Sequence, residues 1–360
     1  MSSEFVKLSI EDLLGCIHSK DQEGNDVKVN YPPHNKVKDE FNAFVNKEIS
    51  ERRKNSTVST LRAFHNFIKR ILITNIVNLY RSQHREEINL LDIAVGRGGD
   101  MFKWNEAGID HVFGFDKSNT SIHSINPFDQ GAKERYAKAQ GLHTKIEYTV
   151  GDAMQPSREL MEEILVFMNK HKLIKNPNPG FQLISCQFAM HYFFQSEIAL
   201  DNMFQAFSPL LKKGGYFIGT TVDGKSISSL LQKNTSFESN ILEIKKKFRA
   251  MSPKKPFGNA YTFKLNDTLD QGNYFNTMGE SIEYLVSINV LKEVAKKYNL
   301  VPVYLNFFES IPGKKNAYTT SPDFISFKSI YDLHTFKKGK LSDDELLVNN
   351  LYTTFVFLKI

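Results

Sequence analysis

The stretch Leu90-Leu91-Asp92-Ile93-Ala94-Val95-Gly96-Arg97-Gly98-Gly99-Asp100 decides how this chain is read. An apolar run of strand length flows into a glycine-rich turn, and a helical pattern follows. Glycines at such a turn let a ligand approach the backbone closely; a tight turn that needs positive φ is the plain structural alternative. The spacing departs from G-x-G-x-x-G, which weakens a nicotinamide dinucleotide reading. A second apolar run closes with Gly114-Phe115-Asp116, where a carboxylate can accept both hydrogen bonds of a ribose diol. The third closes at Asp152 and the fourth at Gln187. Asp152 is placed to accept from an adenine amino group, and Gln187 to hold the far end of the same ligand. One polar residue at a strand end is ordinarily a cap, but three in succession after a glycine-rich turn are hard to attribute to capping alone and suit a nucleoside-bearing ligand along one rim.

Working outward, the strand candidates are 88–95, 111–116, 146–151, 181–187, 215–221, 300–308 and 351–359. Helical spacing occurs over 61–80, through Leu61, Phe64, Ile68, Leu72, Ile76 and Leu79, and again near 101–106, 133–140, 158–171 and 197–211. This alternation predicts an α/β fold, a mostly parallel sheet with helices on both faces. Between 225 and 280 the alternation breaks around Pro253, Pro256, Gly258 and a strand-like Ala260–Leu265, which reads as an insertion or lid. A helix over 282–298 and a terminal strand then resume the pattern. Residues 1–55 read as a polar arm, with a turn at Tyr31-Pro32-Pro33-His34, and residues 56–360 as the main domain.

The composition is that of an ordinary globular chain, 41% hydrophobic and 24% charged over 360 residues. No apolar run reaches the roughly 18 residues of a spanning helix, and the start lacks a signal-peptide layout, so no membrane partner is expected. Cys16 and Cys186 are too few and too distant for a disulfide framework or a metal knuckle. These features predict an intracellular protein with no metal. A net charge of +6 favours an anionic partner only weakly. Lys212-Lys213, Lys245-Lys246-Lys247, Lys254-Lys255, Lys314-Lys315 and Lys337-Lys338 suggest a path for an RNA backbone, solvated turns being the alternative.

Several stretches carry a more specific similarity: Leu61-Arg62-Ala63-Phe64-His65-Asn66-Phe67-Ile68-Lys69, the Leu91–Asp100 turn with Lys103-Trp104, Ile184-Ser185-Cys186-Gln187-Phe188-Ala189-Met190-His191-Tyr192, Gly214–Thr221, and Phe257-Gly258-Asn259. Ile282-Glu283-Tyr284-Leu285, Ala295–Asn299 and the closing Leu351-Tyr352 with Phe355-Val356-Phe357 follow in the same order. From about residue 60 to the end, the chain resembles the eukaryotic and viral mRNA cap guanine-N7 methyltransferases. The resemblance implies a class I, Rossmann-like methyltransferase with a seven-stranded sheet. It implies S-adenosylmethionine as cofactor and 5′-capped RNA as substrate. It further implies that Lys69 and Gln187 hold the methionine portion, Gly96 lines the turn, Asp116 takes the ribose and Asp152 lies by the adenine. Asn66, His191, Tyr192, Glu283 and Tyr352 would surround the guanine, with Arg97 and Arg135 toward the cap phosphates. Ala94 stands where the family usually has glycine, Arg97 where it often has lysine, and His65 where asparagine is expected; 124–130 looks inserted.

Guanine N7 already carries an available lone pair, so no general base is required. The work falls to positioning, by Glu283, His191 and Tyr192 in this reading. A carboxylate accepting from guanine N1–H and its amino group would favour the cationic product and exclude adenine. An aromatic ring would stack on the base. Glu283 has a plainer alternative, an acid near a helix start favouring the helix dipole. Two other readings stay open: a methyltransferase for another RNA or a small molecule, and a non-catalytic RNA-binding module. A dinucleotide oxidoreductase is a more distant one. No KxDG-like guanylyltransferase signature is present, so one capping step is expected. Other capping domains or an activating subunit are expected partners. The unmatched arm and divergent turn fit a methyltransferase module from a large cytoplasmic DNA virus, in a viral factory or virion; a cellular enzyme would be nuclear.

Overall fold

The computed structural model describes residues 56–126, 129–174, 178–232, 234–249, 255–266, 281–303, 324–333 and 339–360. The chain divides into two compact units, Met1–Ser50 and Glu51–Ile360; the expected arm lies outside the described residues, and all that follows concerns the second unit. Lys314-Lys315, Lys337-Lys338 and the end of the strand expected over 300–308 also fall outside them.

Seven strands form one sheet: β1 (Asn89–Ile93), β2 (His111–Asp116), β3 (Lys145–Val150), β4 (Phe181–Gln187), β5 (Leu211–Val222), β10 (Leu300–Pro302) and β11 (Tyr352–Lys359). Their spatial order is β10-β11-β5-β4-β1-β2-β3. The β1–β2, β2–β3, β1–β4 and β4–β5 pairs are parallel, whereas β11 runs antiparallel to β5 and β10. From β1 the order steps outward in opposite directions to β2 and to β4, so right-handed crossovers place helices on both faces. The reversal opens a crevice beyond the carboxyl ends of β1 and β4, which are the ends the glycine-rich turn and Gln187 occupy.

The central strands form where apolar runs can be buried on both faces; all of β1 is buried. The long helix Ser59–Gln83 buries Leu61, Phe64, Ile68, Leu72 and Ile76 along the predicted stripe, which ends on Tyr80 in place of the expected Leu79, itself only half-buried. The helix Glu197–Phe207 stops earlier than expected, giving way to a short 3-10 turn over Ser208–Leu210 with Pro209 in it. β5 consequently starts at Leu211, four residues before the predicted start, with a register shift opposite Phe181–Leu183 that accommodates the extra chain.

The expected insertion is a second sheet, β6 (Ser236–Glu238), β7 (Leu242–Lys246), β8 (Ala260–Leu265) and β9 (Ser281–Tyr284), antiparallel throughout. Here one prediction fails. The helix expected over 282–298 begins only at Ile288, after Ser287, and Ser281–Tyr284 is a strand. Pairing with β8 overrides the local helical spacing, burying Glu283 and leaving Ile282 60% exposed. The Gly258 N–H donates to the Phe194 carbonyl at 3.0 Å and Gly224 N–H to the Val286 carbonyl at 3.1 Å, tying this sheet to the rim of the first. The lysine path needs correction at Lys212, which is buried and paired with Glu86 at 2.6 Å. Both lie at the amino ends of the strands, away from the crevice.

Candidate functional site

A cavity of about 820 Å³ opens at the predicted rim, walled by Ala94, Gly96, Arg97, Asp116, Asp152, Phe188 and Tyr192 from the first sheet and by Ser281, Ile282 and Tyr284 from the second. Its floor is the turn after β1. Ala94 and Gly96 both take positive φ, 60° and 55°, and a Cβ at Gly96 would face open space. The turn is fastened to β2: Gly96 N–H donates to Asp116 Oδ2 and Ser118 N–H to Asp116 Oδ1, each at 2.8 Å. One lone pair per carboxylate oxygen is left for a diol. Asp152 accepts from Met154 N–H at 2.8 Å through one oxygen and lines the same wall. A nucleoside-bearing cofactor fits this donor set, with an acidic ribose site, an open glycine floor and a polar end wall.

Deeper along the same rim the acids and lysines pair among themselves. Lys69 Nζ lies 2.6 Å from Asp100 and Lys103 Nζ 2.8 Å from the same oxygen. Burial alone would raise the Asp100 carboxyl, but the two ammonium groups hold it at about 2. Lys69, expected to hold the methionine portion of the cofactor, is not on the cavity wall; its ammonium lies 5.7 Å from the Phe188 ring centre and pairs with Asp100. Asp92 beside it is buried, with Oδ1 lacking a hydrogen-bond partner among the described residues. Burial and then Asp100 push its carboxyl up. Gln187 also stands behind the wall, donating to Ser185 Oγ at 3.2 Å and accepting from Thr220 Oγ1 at 3.1 Å.

Four of the five residues expected around the guanine, His191, Tyr192, Glu283 and Tyr352, lie on the other side. Tyr192 lines the cavity. His191 is 3% exposed, and neither ring nitrogen has a hydrogen-bond partner among the described residues; Nε2 lies 3.8 Å from Glu283 Oε1. Burial pulls its pKa below the usual histidine value, and the nearby Glu283 works against that pull. Glu283 is held from two sides, accepting from Tyr261 Oη at 2.7 Å and Ser281 Oγ at 3.0 Å. Its position on β9 removes the helix-dipole alternative. Tyr352 opens β11 opposite Val222, at the carboxyl end of β5, and its ring meets those of Phe188 and His65 edge to face. Burial and then Glu283 raise its phenol.

Three of the expected substrate residues are placed differently. Asn66 is exposed and donates to the Arg62 carbonyl, while its neighbour His65 turns inward against Phe188, Phe327 and Tyr352. Arg97 is on the wall, but its guanidinium is engaged by Asp129, with contacts of 2.5 and 2.7 Å to the carboxylate. Arg135 donates to the Arg97 carbonyl at 2.7 Å and is not on the wall. Residues not singled out from the sequence also take part. Phe188 adopts φ 55° on the wall, a conformation rare for a bulky residue and a marker of a constrained site. Its place inside the Cys186–Tyr192 segment was the available signal. Tyr261 had only the alternation of 260–265 to mark it, and Lys117 only its place after Asp116.

The described residues contain no cluster of three or more side chains suited to a metal ion, and none of their helices is long and apolar enough to cross a membrane. Residues 25–360 match the model of the mRNA (guanine-N(7))-methyltransferase domain, a match that begins well before the residue-60 start of the recognisable motifs. The chain is 29% identical over 339 residues to the mRNA cap guanine-N(7) methyltransferase 1 of Arabidopsis thaliana, covering 90% of this chain and 81% of that protein. It is 27% identical over 282 residues to the mRNA cap guanine-N(7) methyltransferase of Schizosaccharomyces pombe, covering 76% and 68% respectively. Among solved structures, an S-adenosylmethionine-dependent methyltransferase from Clostridium acetobutylicum overlays with a TM-score of 0.46 at 14% identity, over 80% of this chain and 90% of that one.

Proposed function

This chain belongs to the mRNA (guanine-N(7))-methyltransferase family, and from that premise we propose how its own residues carry out the reaction. The reaction moves a methyl group from S-adenosylmethionine to N7 of the cap guanine, converting GpppN ends of RNA to m7GpppN. The cofactor supplies a methyl group made electrophilic by its sulfonium.

Asp116 holds the ribose diol with the lone pairs that Gly96 and Ser118 leave open, and Asp152 takes the adenine amino group. Gly96 lets the cofactor lie directly on the turn. Lys69 acts through Asp100, and Gln187 through Ser185 and Thr220, shaping the methionine end rather than projecting into the open cavity. Tyr192 stacks on the guanine, a contact worth about 1–3 kcal/mol by analogy with single-stranded nucleic-acid sites. Tyr352 packs behind with Phe188.

Glu283 and His191 read the edge of the base. The carboxylate keeps one lone pair per oxygen beyond its bonds to Tyr261 and Ser281, and accepts from guanine N1–H and the amino group. As the base becomes cationic, these bonds strengthen, which is where rate is gained. No residue removes a proton, because N7 has none to lose.

One observation carries this reading: a buried His191, whose ring nitrogens have no hydrogen-bond partner among the described residues, stands beside the buried Glu283 side chain. Buried polar groups are normally satisfied, and the edge of a purine provides the missing partners. Methyl transfer assayed with GpppA, GpppG, GTP and uncapped RNA tests it. Capped acceptors should be methylated at N7; equal labelling of uncapped RNA would assign another acceptor, and no cofactor binding would leave an RNA-binding module.

A further inference from the structure

The charge on the cavity wall does not suit an anionic substrate without help. Asp116, Asp129 and Asp152 all line it, with Arg97 and Lys117 as the opposing cations. Arg97 is neutralised: beyond its carboxylate contacts with Asp129, it donates to the carbonyls of Asp129 at 2.6 Å and Gln130 at 3.3 Å. Arg135 stands behind it, on the Arg97 carbonyl.

Lys117 differs from both. It directly follows the ribose carboxylate in sequence, is exposed, and lines the cavity. Among the described residues it has no carboxylate partner; its ammonium lies 5.8 Å from the centre of the Tyr192 ring. The charge thus hangs between the proposed ribose site and the ring proposed to stack on guanine. A cap carries a triphosphate bridge with an ionised oxygen on each phosphate, and it must leave the guanine past this acidic wall. Near the rim a cation without a competing carboxylate attracts such oxygens, with a strength that falls as salt is added.

We infer that Lys117 is the phosphate-binding residue for the cap, taking the part first expected of Arg97 and Arg135, an inference that rests on the cap-methylation reading above. Arg97 then anchors Asp129 and Gln130, and the phosphate contact passes to Lys117 on the same cavity wall.

Equilibrium binding of GpppA, guanosine and S-adenosylhomocysteine to the full chain, by calorimetry at two salt concentrations, tests this with Lys117→Ala and Lys117→Arg. Lys117→Ala should weaken GpppA about fivefold at low salt, with a smaller loss at high salt. Guanosine and S-adenosylhomocysteine affinities should not change, and Lys117→Arg should restore GpppA binding. Unchanged GpppA affinity in Lys117→Ala, while the unaltered chain binds and methylates GpppA, overturns the assignment and leaves the cap reading standing. Loss of S-adenosylhomocysteine affinity instead would overturn it by giving the lysine to the cofactor. Failure of the unaltered chain to bind GpppA at all would remove both.

Discussion

Tyr261 donates a 2.7 Å hydrogen bond to Glu283 from the neighbouring strand, where the two residues are direct partners in register. The bond fixes the carboxylate proposed to read guanine, so Tyr261→Phe should keep the ring and lose the orientation. A hydrogen bond to a charged group is worth on the order of 1.5 kcal/mol, about tenfold. The expected result is a KM for GpppA raised by about that factor, with S-adenosylhomocysteine affinity unchanged. Steady-state kinetics beside calorimetry would show it; a fall confined to cofactor affinity would contradict the placement.

Glu283→Gln should leave the cofactor site intact and slow methylation by a factor on the order of 100, since an amide cannot complement the developing positive charge. Glu283→Ala should lose methylation of capped RNA altogether. Single-turnover rates decide this, and near-normal turnover in either variant would dismiss the guanine pocket.

Asp116, proposed to hold the ribose, is tied to the turn through two backbone N–H groups. Asp116→Ala should therefore abolish S-adenosylhomocysteine binding in calorimetry and also lower the stability of the fold by about 1–3 kcal/mol, for donors left without an acceptor. Unfolding in urea measures the second effect. Retained cofactor affinity would take the carboxylate out of the site.

His65 is held neutral: burial first, and Lys69 second, pull its pKa down to about 3. Unfolded, it would titrate near 6.5. Between these values the unfolded chain binds the extra proton, so stability is present above about pH 6.5 and is lost as pH falls toward 3. Each pH unit in that window costs about 1.4 kcal/mol for this group. Urea midpoints measured from pH 7 to pH 4 should fall less steeply in His65→Asn; equal slopes would mean the ring is already solvated.

Ala94 sits at φ 60° where the turn would suit glycine. Ala94→Gly relieves that strain, so it should raise the unfolding free energy by about 0.5–1 kcal/mol, the gain in the turn outweighing the added freedom of the unfolded chain. A lower thermal midpoint would show that the methyl group packs usefully against the floor.

Much of this was readable from local chemistry. Strands β1, β2 and β4 announce themselves as apolar runs, and Gly96, Asp116 and Asp152 follow because a strand end fixes which way its last residues project. The Cys186–Tyr192 segment brought His191 and Tyr192 forward in a different way, through its resemblance to the family and not through local chemistry. The misreading of 282–287 as helix has its origin in local chemistry, in reverse: its spacing suits a helix until β8 offers a partner.

The sequence by itself determined the parallel sheet, the rim on which the cavity opens and the side chains proposed to line the ribose site, because these depend on apolar periodicity and turn geometry within short windows. Only the tertiary structure decided which charges remain available. Glu283 is buried because residues 22 apart pair across two strands, Lys69 turns to Asp100, and Arg97 is neutralised by Asp129, 32 residues further on. Desolvation and ion pairing depend on what surrounds a group in space, and no pattern along the chain records that.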